Sequence, residues 1–327
     1  MTFHEEKKLF ADAIAAAAQT VAKGGLGIKD IYIEKDYWIC LALKQMAEGD
    51  TGDVAVFKGG TSLTKCFGLG NRFSEDIDVA ILGAKSLNGN QQKTLIRKTA
   101  KNMSAGLEEI ETPETSKGSR HYKAFYAYPL AVSAKRVPTV KVGQLLVEVT
   151  CFDDPHPVEK REVRPFLTDF LINVGAESMV EKYGMQPFNV NVLDKRSTLT
   201  EKIASLLRWS LADDYELQLR AKIRHFYDLH CLMQDSDCQE FVSSQAFANQ
   251  LTSLLAHDQS KLAEPKGWQD RRICNSPLMT DFQGVWKSLS TTYARELPDL
   301  AYRTVPGAGV VGKSVSELLR TVGACVE

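Results

Sequence analysis

The sequence predicts an α+β protein, with strands and helices interleaved over residues 1–190 and a helical remainder over 191–327. Three observations carry this. Residues 54–57, 76–81, 122–132 and 141–152 have the apolar, β-branched or alternating character of strands. Residues 3–22, 32–47 and 91–111 repeat apolar side chains at helical spacing. From Ser197 onward the pattern is helical, with turns near Pro265-Lys266-Gly267 and Pro306-Gly307-Ala308-Gly309.

The first helix places Phe3, Phe10, Ile14, Ala17 and Val21 on one face and is stopped by Gly24-Gly25. In the second, Ile33, Tyr37, Cys40 and Leu41 form the packing face. The strand at 54–57 runs into the small-residue loop Lys58-Gly59-Gly60-Thr61-Ser62, where two glycines permit a tight turn and close approach of a bulky anion. A helix following such a loop would aim free backbone N–H groups at that anion. In the strand Asp76-Ile77-Asp78-Val79, side chains alternate between faces, so Asp76 and Asp78 share one face, ~7 Å apart, and can grip one divalent cation. Each motif alone has a plain reading, a flexible loop and a solvated strand edge. Their order and spacing join a phosphate site to a metal site.

Asn88-Gly89-Asn90 turns the chain into the helix at 91–111, and 112–118 is a loop. The strand at 141–152 carries Glu148 among Leu145, Leu146, Val147, Val149 and Cys151. A carboxylate there either lies on a face open to water, with Gln144 and Thr150, or is paired or cation-bound. Asp153 and Asp154 read as turn residues before Pro155. Residues 155–191, with four prolines, read as short strands or connections. Thr198 and Glu201 fit a capping box, with Ile203, Leu206, Leu207 and Leu211 as the buried stripe behind it. Lys202 would then lie one turn from the helix start, suited to an anion, although a surface lysine reads the same way. In residues 220–232, Arg224 and Asp228 are four apart and can pair. His225 and His230 are five apart and do not share a helix face, so they form no zinc pair. Trp268, Arg271 and Arg272 suit either base stacking with phosphate contact or a packed tryptophan beside solvated arginines.

Bulk properties narrow the class. The 327 residues suffice for two domains, and 44% apolar with 25% charged is ordinary for a soluble globular chain. A net charge of −1 gives no global argument for nucleic-acid binding, so any such surface is local. No apolar run reaches membrane-span length and MTFHEEKK is not a signal peptide, so the expected location is cytoplasmic. The seven cysteines form no CxxC pair and are expected to be reduced thiols.

FKGGTSL followed by RFSEDIDV resembles the signature of the nucleotidyltransferase superfamily in its AbiEii/AbiGii abortive-infection toxin branch. Further matches, in order, are the run Glu34-Lys35-Asp36 before Tyr37, the TEKIASLL helix with Lys202, and Arg224, Tyr227, Asp228 and Leu229. For Glu34-Lys35-Asp36 the two readings are a solvated helical turn with an internal ion pair and a role near the nucleotide. His225 stands where the branch often has an acid. The resemblance implies a mixed nucleotidyltransferase-type sheet with flanking helices and a C-terminal helical bundle. It implies Asp76, Asp78 and Glu148 as ligands of two Mg²⁺ ions, with Mn²⁺ as an alternative, and Lys202 as a further catalytic group. Lys58, Gly59, Gly60, Thr61, Ser62, Arg72, Ser74 and Asp228 would bind the nucleotide. The spacing from Gly60 to Asp76 is longer than usual, so Ser62 takes the place of the turn serine. The implied activity is transfer of a nucleoside monophosphate from an NTP to an acceptor hydroxyl, on RNA (a tRNA 3′ end) or protein, by a toxin with a cognate antitoxin and no membrane partner. A nucleotide-binding sensor without turnover and a metal-dependent hydrolase are the competing expectations.

Overall fold

Alternation along residues 76–81 becomes a strand whose Ile77, Val79 and Ile81 are fully buried while Asp76 and Asp78 stay half-exposed, and the sheet is built outward from it. The computed structural model describes residues 1–132, 141–151 and 157–326. Asp153, Asp154 and Pro155 lie outside the described residues. The chain divides into two units, one comprising residues 1–68 and 73–193, the other 69–72 and 194–327.

In the first unit the order is α1 (Lys7–Ala17), α2 (Asp30–Glu48), β1 (Ala55–Lys58), α3 (Gly59–Phe67), β2 (Asp76–Ile81), α4 (Gly89–Met103), β3 (Glu108–Ile110), β4 (Ser116–Lys117), β5 (His121–Ala127), β6 (Gln144–Cys151), β7 (Val158–Val163), α5 (Phe166–Asn173), α6 (Glu177–Lys182) and β8 (Phe188–Leu193). The strands form one sheet in the order β3-β5-β6-β2-β1-β8-β7, with β4 also paired to β5. It is mixed: β2 runs parallel to β6 and β1 to β8, while the other pairs are antiparallel. Helices α2 and α4 pack on this sheet.

Local chemistry sets the element ends. The Asn88 side chain accepts from the N–H groups of Asn90 and Gln91, and Gln91 reaches back to the Asn88 N–H, closing a capping box that starts α4. That helix ends at Met103, short of the expected 111, because Gly106 takes φ +83° and the chain leaves for edge strand β3. The first helix also ends early. Phe3, Phe10, Ile14 and Ala17 are buried as expected, but Val21 lies in a separate turn and is 75% exposed. Residues 157–193 resolve into β7, α5, α6 and β8.

The second unit is helical: α7 (Lys195–Trp209), α8 (Tyr215–Ala221), α9 (Ile223–Leu232), α10 (Ser236–Val242), α11 (Gln245–Lys261), α12 (Pro277–Thr280), α13 (Phe282–Leu300) and α14 (Ala308–Val326). Helix α9 packs against α7, α13 and α14. Ile203, Leu206, Leu207 and Leu211 form the expected buried stripe. Helix α7 starts at Lys195 under an Asp194 cap, so Thr198 is no cap; its hydroxyl is buried inside the helix without a hydrogen-bond partner. Trp268 is fully buried and donates its indole N–H to the Leu262 carbonyl, while Arg271 bonds the Leu211 carbonyl and Asp213. The stacking reading of that tryptophan is therefore corrected. No helix among the described residues is long and apolar enough to cross a membrane.

Candidate active site

Strand register decides where the acids go. In the β2–β6 ladder Asp76 is opposite Leu146 and Asp78 opposite Glu148. Directly paired residues share a face, so Asp76, Asp78 and Glu148 lie on the same side of the sheet. The row continues both ways: Lys58 of β1 pairs with Asp78, and Lys123 of β5 pairs with Glu148. Two carboxylates are thus bracketed by two lysines across four adjacent strands. The His121 ring nitrogen Nε2 is 3.2 Å from a Glu148 oxygen. Burial pushes the Glu148 carboxyl up, but the His121 hydrogen bond and the charges of His121, Lys123 and Lys58 outweigh it, leaving the group below its ordinary range.

The glycine segment joins this row. Gly59 adopts φ +81°, which only glycine holds without strain, and a Cβ there would collide with the Asp78 carboxylate. Helix α3 begins at Gly59, directly after the strand, and no side chain of Lys58 caps it. Thr61 and Ser62 are buried: the Thr61 hydroxyl donates to the Asp76 carbonyl at 2.6 Å, and that of Ser62 to the Gly59 carbonyl at 2.9 Å. Gly60 and Ser74 are half-exposed.

What sequence reasoning missed is the work of Glu34-Lys35-Asp36. The triplet is neither solvated nor internally paired; all three side chains are buried and each reaches a different segment. Glu34 accepts the N–H groups of Ala131 and Val132. Lys35 donates to Glu75 at 2.8 Å and to the Lys141 carbonyl at 3.1 Å. Asp36 accepts from Lys65 and from the Phe166 N–H, both at 2.7 Å. Burial raises the Glu34 and Asp36 carboxyls and lowers the Lys35 ammonium against these partners. Glu75 immediately precedes Asp76, so with the Thr61 bond the start of β2 is held from two sides. The overlooked signal was apolar residues all around α2: Ile31, Tyr32, Ile33, Tyr37, Trp38, Ile39 and Cys40 leave no wet face for three charges.

In the second unit Arg72 grips Asp228 with Nε and a terminal nitrogen, each at 2.7 Å, and the Lys202 ammonium reaches the same carboxylate at 2.7 Å. All three are buried. The segment is stitched further by the Asn71 N–H donating to the Tyr227 hydroxyl and the Tyr302 N–H to the Asn71 carbonyl. Burial pushes the Asp228 carboxyl up, and the two cations override it, holding it well below the usual carboxylate range. Two expectations are corrected: Lys202 lies well inside α7 as a paired buried cation, and the Asp228 carboxylate goes to Arg72 and Lys202 in place of Arg224. His225 leaves its Nδ1 unpartnered, and burial with nearby Lys202 and Lys222 keeps the ring neutral at pH 7.

Residues 41–310 match the family described as "Nucleotidyl transferase AbiEii toxin, Type IV TA system". The chain belongs to this family. It is therefore a nucleotidyltransferase of the AbiEii toxin type. Among solved structures it is similar to MenT4, a nucleotidyltransferase toxin from Mycobacterium tuberculosis, at 16% identity and a TM-score of 0.51, covering 95% of this chain and 89% of that one. It also matches a putative nucleotidyltransferase from H. pylori, at 14% identity and a TM-score of 0.46, covering 91% and 96%. The first likeness is one of fold. No curated protein sequence matches the chain.

A hard divalent cation takes carboxylate oxygens, and Asp76, Asp78 and Glu148 are donors of that kind on one face beside a backbone without a Cβ. Among the described residues no three His, Cys, Asp or Glu side chains already stand close enough to hold one ion. In this arrangement a Glu148 oxygen faces His121.

Proposed function

We propose that this AbiEii-family chain transfers a nucleoside monophosphate from an NTP to an acceptor hydroxyl, using the carboxylate face of β2 and β6. The observation that carries the reading is the pairing of Asp78 with Glu148, which sets the third carboxylate on the face of the first two. Asp76, Asp78 and Glu148 would hold Mg²⁺, or Mn²⁺, which supplies charge neutralisation at the phosphates and a more acidic acceptor oxygen when bound. The acceptor hydroxyl gives its proton to Glu148 or another carboxylate of the set as its oxygen attacks the α-phosphorus, the bond to the bridging oxygen breaks, and pyrophosphate leaves. Lys58 and the backbone of Gly59 and Gly60 receive the departing phosphates, since α3 begins there and the positive end of its dipole lies at that turn. Thr61 contributes by fixing the Asp76 backbone, and Ser62 by closing the first turn of α3. Arg72, Asp228 and Lys202 form a buried group with one net positive charge within the second unit.

The acceptor we favour is RNA, including a tRNA 3′ end, with a protein hydroxyl as the competitor. Neutralisation by a cognate antitoxin accords with the type IV family description, and the proposed site of action is the cytoplasm. The test is incubation of the full chain with each α-labelled NTP, Mg²⁺ and total RNA or protein. Label entering RNA, and lost in Asp76→Ala and Asp78→Ala, supports the reading. Saturable NTP binding without incorporation, or phosphate release without transfer, overturns it.

A further inference from the structure

The charged row on the sheet has two cationic ends, Lys58 on β1 and Lys123 on β5. Successive strands are ~4.8 Å apart, so Lys123 stands roughly three strand spacings, ~14 Å, from Lys58, with Asp78 and Glu148 between them. The β5 end is distinct in its chemistry. Lys123 is partly exposed, has Glu114 at 3.9 Å as a loose ion partner, and faces the same side as Glu148. Lys141 shares Glu114 at 2.7 Å and lies over the Phe125 ring. An exposed pair of this kind is worth little, so a phosphodiester can displace it at small cost.

We infer that Lys123 binds the phosphate adjacent to the acceptor hydroxyl, making the β5 end the acceptor subsite and the Lys58 end the exit for pyrophosphate. This rests on the transfer reading proposed above. In an in-line displacement the entering and leaving oxygens lie on opposite sides of the phosphorus. With the leaving phosphates drawn to Lys58 and Gly59, the acceptor enters from the far side of the carboxylates, where Lys123 stands opposite Glu148 in the strand ladder. A serine or tyrosine hydroxyl brings no anion to satisfy that lysine, whereas a polynucleotide 3′ end carries a phosphodiester one nucleotide away.

The test compares Lys123→Gln, Lys123→Arg, Lys58→Gln and the surface control Lys287→Gln in the full chain. With labelled NTP and total RNA, Lys123→Gln raises KM for RNA about tenfold, the scale of one charge-assisted contact, and leaves KM for NTP unchanged. Lys123→Arg restores it, and Lys58→Gln does the reverse. Filter binding of a 5′-labelled oligoribonucleotide across a salt series provides an activity-independent readout. Removing one phosphate contact lowers the slope of log affinity against log salt by about 0.7, and Lys287→Gln leaves it intact. The assignment is overturned if Lys123→Gln leaves both RNA measurements unchanged, or raises the NTP and RNA KM alike. It is also overturned if label enters protein alone. If the wild type incorporates nothing, the transfer reading fails separately and the salt slope still decides whether Lys123 meets a phosphate.

Discussion

Gly59 is a residue whose lack of a side chain is demanded by its backbone and its neighbour. Its φ of +81° and its contact with the Asp78 carboxylate leave no room for a methyl group. Gly59→Ala should cost about 1–2 kcal/mol in backbone strain alone, read as a lower urea midpoint, and should depress nucleotide incorporation further because Asp78 must move. Asp228 is the opposite case, an anion held by two buried cations. Asp228→Asn leaves Arg72 and Lys202 uncompensated and should cost about 3–5 kcal/mol. Because its folded carboxyl is depressed, its contribution is complete above the unfolded value of ~4 and disappears as pH falls through the lower folded value. The difference in urea midpoint between wild type and Asp228→Asn should therefore be constant from pH 7 to 5 and shrink on further acidification. That Asp76 and Asp78 share a face of their strand was legible from alternation. The partners of Asp228 were not, since Arg72 lies 156 positions away and no local spacing reports such a pair.

Helix α2 shows what an element can do beyond packing. Its charged triplet ties the chain at 131–132, at Glu75 and Lys141, and at Lys65 and Phe166. The Asp36–Lys65 pair is buried, so breaking it from one side is costly while replacing both partners is not. Lys65→Met alone should destabilise by about 3 kcal/mol or more. Adding Asp36→Asn should recover most of that loss, because the amide oxygen still accepts from the Phe166 N–H; chemical denaturation of the four-member cycle measures the coupling. Periodicity located α1, α2, α4, β1, β2 and β6. It overran α4, where a single glycine outweighed a helical pattern, and misplaced the start of α7, where Asp194 capped four residues before the expected Thr198.

At the scale of the whole chain, the thiols and the sheet carry the remaining consequences. Burial pushes Cys66 and Cys238 up to about 12 and raises Cys40 further, so these sulfurs are unreactive while folded. An Ellman titration at pH 8 should find fewer than the seven thiols in native protein and all seven in denaturant, with no change on adding reductant. The α+β class and the helical second half were plain in composition and period. Strand order was not, because parallel neighbours such as β2 and β6 are joined through a long excursion that leaves no mark in local pattern. That same excursion makes the enzyme unevenly tolerant of length change. Residues gained or lost in the turns around 83–87 or 112–115 alter the path between the two strands and nothing in their alignment. One extra residue between Leu145 and Glu148 would turn that carboxylate to the opposite side of the sheet and silence a chain that still folds. Indels that spare activity should therefore map to those turns, and a frame-preserving insertion scan would draw β6 as a short forbidden zone.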